Sequence, residues 1–170
     1  MLQQTQVKTC VPYFLKFLDR FPSLDVLAES NLETVLKMWE GLGYYARARN
    51  FHNAANIVYR QLNNVIPDDF TQCKKLPGVG DYIGAAVQSI AFGRPFAVVD
   101  GNVKRVLSRL YCIQSPVNKQ SSTRHFQSFA DRLLDKRDPG TFNQAMMELG
   151  AVLCTPKKPQ CLKCPVSEFC

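Results

Sequence analysis

Four of the seven cysteines of this 170-residue chain fall in its last 17 residues, CTPKKPQCLKCPVSEFC. Cys154, Cys161, Cys164 and Cys170 are separated by six, two and five residues. Four thiolates can complete a tetrahedral zinc site or hold an iron–sulfur cluster. Zinc sites more often use two CxxC pairs, and here there is one, yet the donor chemistry leaves both metals open. Four unliganded thiols in so short a segment would be prone to oxidation. The odd total and the absence of a secretory signal argue against a disulfide scaffold. Cys10, Cys73 and Cys112 are scattered singly and are expected to be buried core thiols.

A second set of chemically capable residues lies in LPGVGDYIGAAVQSIAFGRPFAVVDGNVKRVLSRL. Gly78 and Gly80 permit a sharp turn or a close backbone approach. A helix is expected to end near Lys75 and another to begin near Asp81, so the turn would present backbone N–H groups suited to a phosphate. Such a contact fixes register on a nucleic acid without reading bases. Asp100 follows the apolar run FAVV and precedes the helical GNVKRVLSRL. Its simplest role is an N-cap, worth about 1 kcal/mol. A carboxylate kept beside Lys104, Arg105 and Arg109 could also stabilise a positively charged transition state, with the three basic side chains able to face phosphates.

The elements that must position these residues are helices. Apolar residues recur at helical spacing at Val7, Val11, Phe14, Leu15 and Leu18, and at Leu32, Val35, Leu36 and Trp39. Ser30 with Glu33 forms a capping-box pattern for the second; Pro12 predicts a kink or a fresh start in the first. Further stripes are Phe51, Ala55, Val58, Leu62; Ile83, Ala86, Val87, Ile90, Ala91; Val103, Val106, Leu107, Leu110, Tyr111; Phe126, Phe129, Ala130, Leu133, Leu134; and Phe142, Ala145, Met146, Leu149. Only IAFGRPFAVVD reads as extended. The fold class is therefore all-α, with about eight or nine short helices.

Composition sets the outer limits. The chain is 46% hydrophobic and 21% charged, which excludes a disordered polymer. No apolar run reaches membrane-spanning length, and MLQQTQVKTCVPYF is not a signal peptide. A soluble protein is expected. The net charge of +7 suggests a polyanionic partner, most often nucleic acid.

These motifs together resemble the helix–hairpin–helix DNA glycosylase superfamily, with LPGVG as the hairpin, the aspartate after it as the catalytic acid, and the four cysteines spaced as in that family's 4Fe–4S loop. MLQQTQV, GLGYYARARN, VVDGNVKRVLSR and FNQAMMELGAVLCTPKKPQCLKCPV resemble the MutY-type adenine DNA glycosylases over essentially the whole chain. The resemblance implies a helical glycosylase core over 1–153, with the helix–hairpin–helix at about 70–92, and a cluster loop over 154–170. It implies base-excision repair: a monofunctional glycosylase hydrolysing the N-glycosidic bond of adenine mispaired with 8-oxoguanine or guanine in double-stranded DNA. It further implies a 4Fe–4S cluster, a monomer, and a cytoplasmic location, nucleoid-associated in a bacterium.

By the same resemblance Asp100 matches the carboxylate that stabilises the oxocarbenium-like sugar, Tyr82 the tyrosine beside it, and Asn102 the asparagine that orients it. Gln144 occupies a position at the adenine pocket. In endonuclease III-like enzymes a lysine stands where Tyr82 is, and it forms a Schiff base; a phenol cannot. Gln4 and Tyr44 resemble residues that wedge into the duplex. Thr5 and Leu42 sit where the family approaches the oxidised guanine. Arg47, Gly78, Val79, Gly80, Lys104 and Arg105 complete the expected DNA contacts. Tyr44 could equally be an ordinary surface aromatic, though its neighbours Arg47 and Arg49 favour DNA. His52 and His125 match no role and are read as structural or surface residues.

The chain also departs from the pattern. The family's glutamate, which protonates the leaving adenine, sits two residues before the methionine of MLQQT, here residue 1. That glutamate, the helix preceding it and the C-terminal Nudix-like domain are therefore expected to be absent, and the chain alone is expected to excise little or no adenine. The alternatives are a non-catalytic DNA-binding module with a structural cluster, and a related thymine-mismatch glycosylase.

Overall fold

The computed structural model describes residues 1–2, 5–117 and 119–170. Among the described residues every regular element is helical, as the periodicities require. The chain divides into two compact units, Met1–Val79 and Gly80–Cys170, so the boundary falls inside the stretch expected to be a helix–hairpin–helix.

The first unit contains α1 (Val7–Arg20), α2 (Leu24–Glu29), α3 (Leu32–Met38), α4 (Ala46–Gln61) and the single turn α5 (Phe70–Cys73). Helix α4 packs against α2 and α3, around a core of Phe17, Phe21, Leu27, Val35, Trp39 and Leu42. Phe17 meets Trp39 edge-on at 6.2 Å, a favoured aromatic geometry. Helix α1 continues unbroken through Pro12 and does not start afresh there, at the expense of the intrahelical bond its missing N–H would donate. It buries Cys10 and Phe17, while Val7, Val11, Phe14, Leu15 and Leu18 stay exposed. The stripe shares one face as its spacing predicts, but that face is not the one packed in the core. The α3 cap differs from expectation by one residue. Asn31 accepts from the Thr34 N–H at 2.8 Å, and Ser30 instead bonds back to the Val26 carbonyl at 2.6 Å. An asparagine directly before the first helical residue wins over a serine one step earlier. His52 is buried in α4, beside the Asn56 amide at 3.3 Å.

The second unit contains α6 (Asp81–Phe92), α7 (Gly101–Leu110), α8 (Gln120–Leu133) and α9 (Pro139–Glu148). It ends in a π-helical segment, Leu149–Leu153, and two 3₁₀ turns, Cys161–Lys163 and Ser167–Phe169. Helix α9 packs on α6 and α7, and the π segment packs on α7. Val103, Leu107, Phe126, Ala130 and Leu134 form the core. In α6 the buried side is Gly84, Ala85, Gln88 and Ser89, one position off the apolar stripe, with Ile90 exposed.

After α6 the chain leaves the helix at Gly93 and descends without regular structure to Asp100. Asn143 of α9 holds this stretch. Its amide accepts from the Val98 N–H at 3.0 Å, and donates to the Phe96 carbonyl at 2.8 Å and the Ser89 hydroxyl at 2.9 Å. Asn143 is 2% exposed. A buried polar side chain with both ends in use is what buried backbone outside regular structure needs. Cys10 and Cys73 are buried as expected, but Cys112 is exposed in a left-handed turn (φ 50°), where α7 has ended and no core remains to cover it.

Candidate active site

Asp100 lies at the N-cap of α7 with extended backbone (φ −99°, ψ −175°). Its Oδ1 accepts from the Val103 N–H at 2.7 Å, which closes the first turn of the helix. Its Oδ2 accepts from the Asn102 amide at 3.1 Å. The two expected roles of this residue, cap and poised carboxylate, therefore use different oxygens. The N-terminal end of α7 also favours a negative charge there.

Asn102 is itself oriented. Its Oδ1 accepts from Arg105 Nη2 at 2.8 Å, so its amide nitrogen is the end that faces Asp100. The same Nη2 reaches the Gly150 carbonyl at 2.6 Å, and Arg105 Nε reaches the Cys154 carbonyl at 2.7 Å. A single planar guanidinium thus ties Asn102 to the π segment and to the first cysteine of the C-terminal loop. The fork geometry of arginine suits this three-way contact. Gly150 makes the approach possible: a Cβ there would lie 2.7 Å from the Asn102 Cβ and 2.8 Å from its carbonyl oxygen.

Tyr82 stands in the first turn of α6 and is half-buried. Its hydroxyl lies 3.9 Å from Met147 Sδ. Burial raises its pKa above the usual 10, and the negative charge of Asp100 adds to the rise; the phenol stays protonated at neutral pH. Gln144 is exposed on α9 and donates to the Gly140 carbonyl at 3.2 Å. Lys104 donates to the Val117 carbonyl at 3.3 Å, and Arg109 donates to Cys154 Sγ at 3.1 Å and the Thr155 carbonyl at 2.9 Å. The basic groups of α7 are thus engaged within the second unit. Periodicity places them on the polar side of the helix but does not reveal that the cysteine loop folds back onto that side.

The four C-terminal cysteines are free thiols. Their segment is wound into turns by Cys164 N–H to Cys161 O and Cys170 N–H to Ser167 O, at 3.0 and 3.2 Å. It has almost no core of its own: Leu162 and Phe169 are fully and largely exposed. Among the described residues no three Cys, His, Asp or Glu side chains converge on a single-ion position. Four thiols free of disulfides and wrapped along one loop are a donor set that fits an iron–sulfur cluster.

In the first unit, Leu42 is buried and Tyr44 exposed; Thr5 N–H bonds to the Leu2 carbonyl at 3.2 Å. Gln4 lies outside the described residues. Gly78 has a left-handed backbone (φ 79°), and a Cβ there would meet the Asn50 Cβ at 2.8 Å. The Val79 N–H closes the turn onto the Leu76 carbonyl at 3.1 Å. Gly80 is different. Its backbone is one any residue adopts (φ −90°), and a Cβ would meet nothing within 4 Å.

Known proteins of similar sequence and fold identify the family of the chain. Residues 154–170 match the iron–sulfur binding domain of endonuclease III. The chain is 39% identical over 170 residues to an adenine DNA glycosylase of Buchnera aphidicola, covering all of this chain and 48% of that protein. It is 43% identical over 171 residues to the adenine DNA glycosylase of Rattus norvegicus, covering 33% of that protein. The chain thus spans between a third and a half of the length of these curated relatives. Its fold superposes on a thermostable thymine-DNA glycosylase with a TM-score of 0.86 and 27% identity, covering 99% of this chain and 78% of that one. Residues 1–131 match the HhH-GPD superfamily base excision DNA repair protein family, and the chain belongs to that superfamily.

Proposed function

We propose that the chain is the core of an adenine DNA glycosylase, acting on adenine opposite 8-oxoguanine or guanine in double-stranded DNA as a monomer. The observation that carries this is the Asp100 carboxylate, half-buried, with one oxygen capping α7 and the other held by Asn102. An anion fixed in this way needs no reorganisation to stabilise a cationic sugar as the glycosidic bond breaks. The target base must leave the stack to reach it. Tyr82, a neutral phenol whose pKa burial and the Asp100 charge raise further, can pack or hydrogen-bond beside the reacting sugar. It cannot form a Schiff base, so the product is an abasic site with the strand intact. Gln144 is assigned to the base pocket. Gly78, Val79 and Gly80 are assigned to a phosphate: Gly80 has neither a conformational nor an internal steric need for glycine, which leaves room for an outside partner. Thr5, Leu42 and Tyr44 are assigned to the mispair. We assign Cys154, Cys161, Cys164 and Cys170 to a 4Fe–4S cluster, which would supply structural order to a loop without a core.

The test is single-turnover excision from an adenine:8-oxoguanine duplex. It uses this chain and a version extended by an upstream segment bearing a glutamate two residues before Met1. Adenine release by the extended protein is expected, falling at least about hundredfold in Asp100→Asn. Release of thymine from a mismatched duplex in its place would favour the thymine-glycosylase alternative. Mispair-selective binding with no release by either protein would favour the non-catalytic module.

A further inference from the structure

Tyr44 combines two features that rarely coexist. Its ring is 65% exposed, and its backbone is left-handed (φ 49°), a conformation uncommon outside glycine. It ends a loop in which Gly41 and Gly43 are also left-handed (φ 95° and 67°). Such a loop has little reason to hold one shape or one side-chain direction. Arg47, the second residue of α4, supplies the reason.

The Arg47 guanidinium lies between two rings, 5.4 Å from the Tyr44 centroid and 5.6 Å from that of Trp39. Its Nη2 donates to the carbonyls of Leu42 at 3.3 Å and Gly43 at 3.4 Å, and its Nη1 to that of Met1 at 3.2 Å. Trp39 Nε1 donates to the same Gly43 carbonyl at 3.2 Å. The two peptide groups just before Tyr44 and the face of its ring are therefore held by one side chain, which is anchored in turn on a buried tryptophan. Planarity and a donor fork are needed for this, and lysine has neither.

We propose that Arg47 is a positioning residue for Tyr44: it holds the Leu42–Tyr44 loop and the aromatic ring in place for insertion into a DNA duplex, and is not itself a phosphate contact. This rests on the reading of Tyr44 as a wedge. A ring already held in its inserted direction has less freedom to lose on binding, which raises affinity without a new contact.

The test measures binding of the 170-residue protein to a fluorescein-labelled duplex with one adenine:8-oxoguanine mispair. Wild type is compared with Tyr44→Ala, Arg47→Lys and the Tyr44→Ala/Arg47→Lys double variant. Emission of Trp39, the only tryptophan, reports on the stack in the free protein, and melting reports on folding. Tyr44→Ala is expected to bind about tenfold more weakly than wild type. Arg47→Lys, though folded and equally charged, is expected to show altered Trp39 emission and the same loss as Tyr44→Ala. The double variant is expected to be no weaker than either single one, as for residues acting as one unit. Wild-type affinity in Arg47→Lys, or losses that add in the double variant, would overturn the proposal and leave Arg47 as a separate DNA contact. Wild-type affinity in Tyr44→Ala would remove the wedge itself, and the role of Arg47 with it.

Discussion

Asn102 donates its side-chain amide to Asp100 Oδ2 at 3.1 Å, while Asp100 Oδ1 caps the same helix at 2.7 Å. The carboxylate is thus fixed by its own helix at two points, and its charge and its cap can be separated by mutation. Asp100→Asn keeps a good N-cap and should change stability by less than about 1 kcal/mol, yet abolish most excision by the protein extended upstream of Met1. Asp100→Ala should add a loss of about 1 kcal/mol from the missing cap. Thermal melts beside single-turnover rates check both, and a strongly destabilised Asp100→Asn would contradict the division of labour between the two oxygens.

Gly150 is required by the closeness of the π segment to α7. Gly150→Ala should push directly on Asn102, whose Cβ would lie 2.7 Å away, and destabilise by about 1–3 kcal/mol. Gly101→Ala, with nothing within 4 Å of the added methyl, should be tolerated. Denaturant titrations of the two variants test this; equal effects would argue against the close approach.

Tyr82 should titrate above pH 10, because burial and then the Asp100 charge raise its pKa. The difference in phenolate absorbance between wild type and Tyr82→Phe gives the midpoint. Asp100→Asn should lower it while leaving it raised, since burial is the larger cause. A raised folded-state value means that the native protein holds this proton more tightly than the unfolded chain. The associated stability is complete below pH 10 and is lost as pH rises through the folded value. Wild type should therefore lose more stability than Tyr82→Phe in that alkaline window.

Asn143→Leu should cost more than about 2 kcal/mol, since it strips partners from the buried Val98 N–H and Phe96 carbonyl at once. Hydrogen exchange at Val98 should accelerate in this variant. An unchanged Val98 amide would show that the descent to Asp100 is held by something else.

Anaerobic loading with iron and sulfide should give a brown protein with a raised melting temperature, since the loop over 154–170 buries little of its own. Cys161→Ser should lower both the colour and the gain in stability. If zinc gives the same gain in melting temperature while iron and sulfide give none, the cluster assignment fails.

The chain order of residue types already determined the all-helical class, the start of α6 at Asp81, the capping position of Asp100 and the gathering of four cysteine donors in one short C-terminal segment, with zinc and iron–sulfur both open to them until the family was known. These are local matters, set by periodicity, cap chemistry and spacing along one stretch of chain. Other features depended on which surface each helix meets. Val7, Val11, Phe14, Leu15 and Leu18 share a face by spacing, but Cys10 and Phe17 on another face are the ones covered. The side of α7 that bears Arg105 and Arg109 is polar by any count, yet only the return of the chain through Gly150 and Cys154 turns those guanidiniums inward. Arg47 is ordinary in sequence and acquires its partners from a loop that bends back over α4. Asn143, unremarked among helical residues, becomes the clamp on the stretch leading to Asp100 because α9 packs beside it. A long polar side chain has many possible partners in sequence and few in space, so tertiary packing decides which of them it holds.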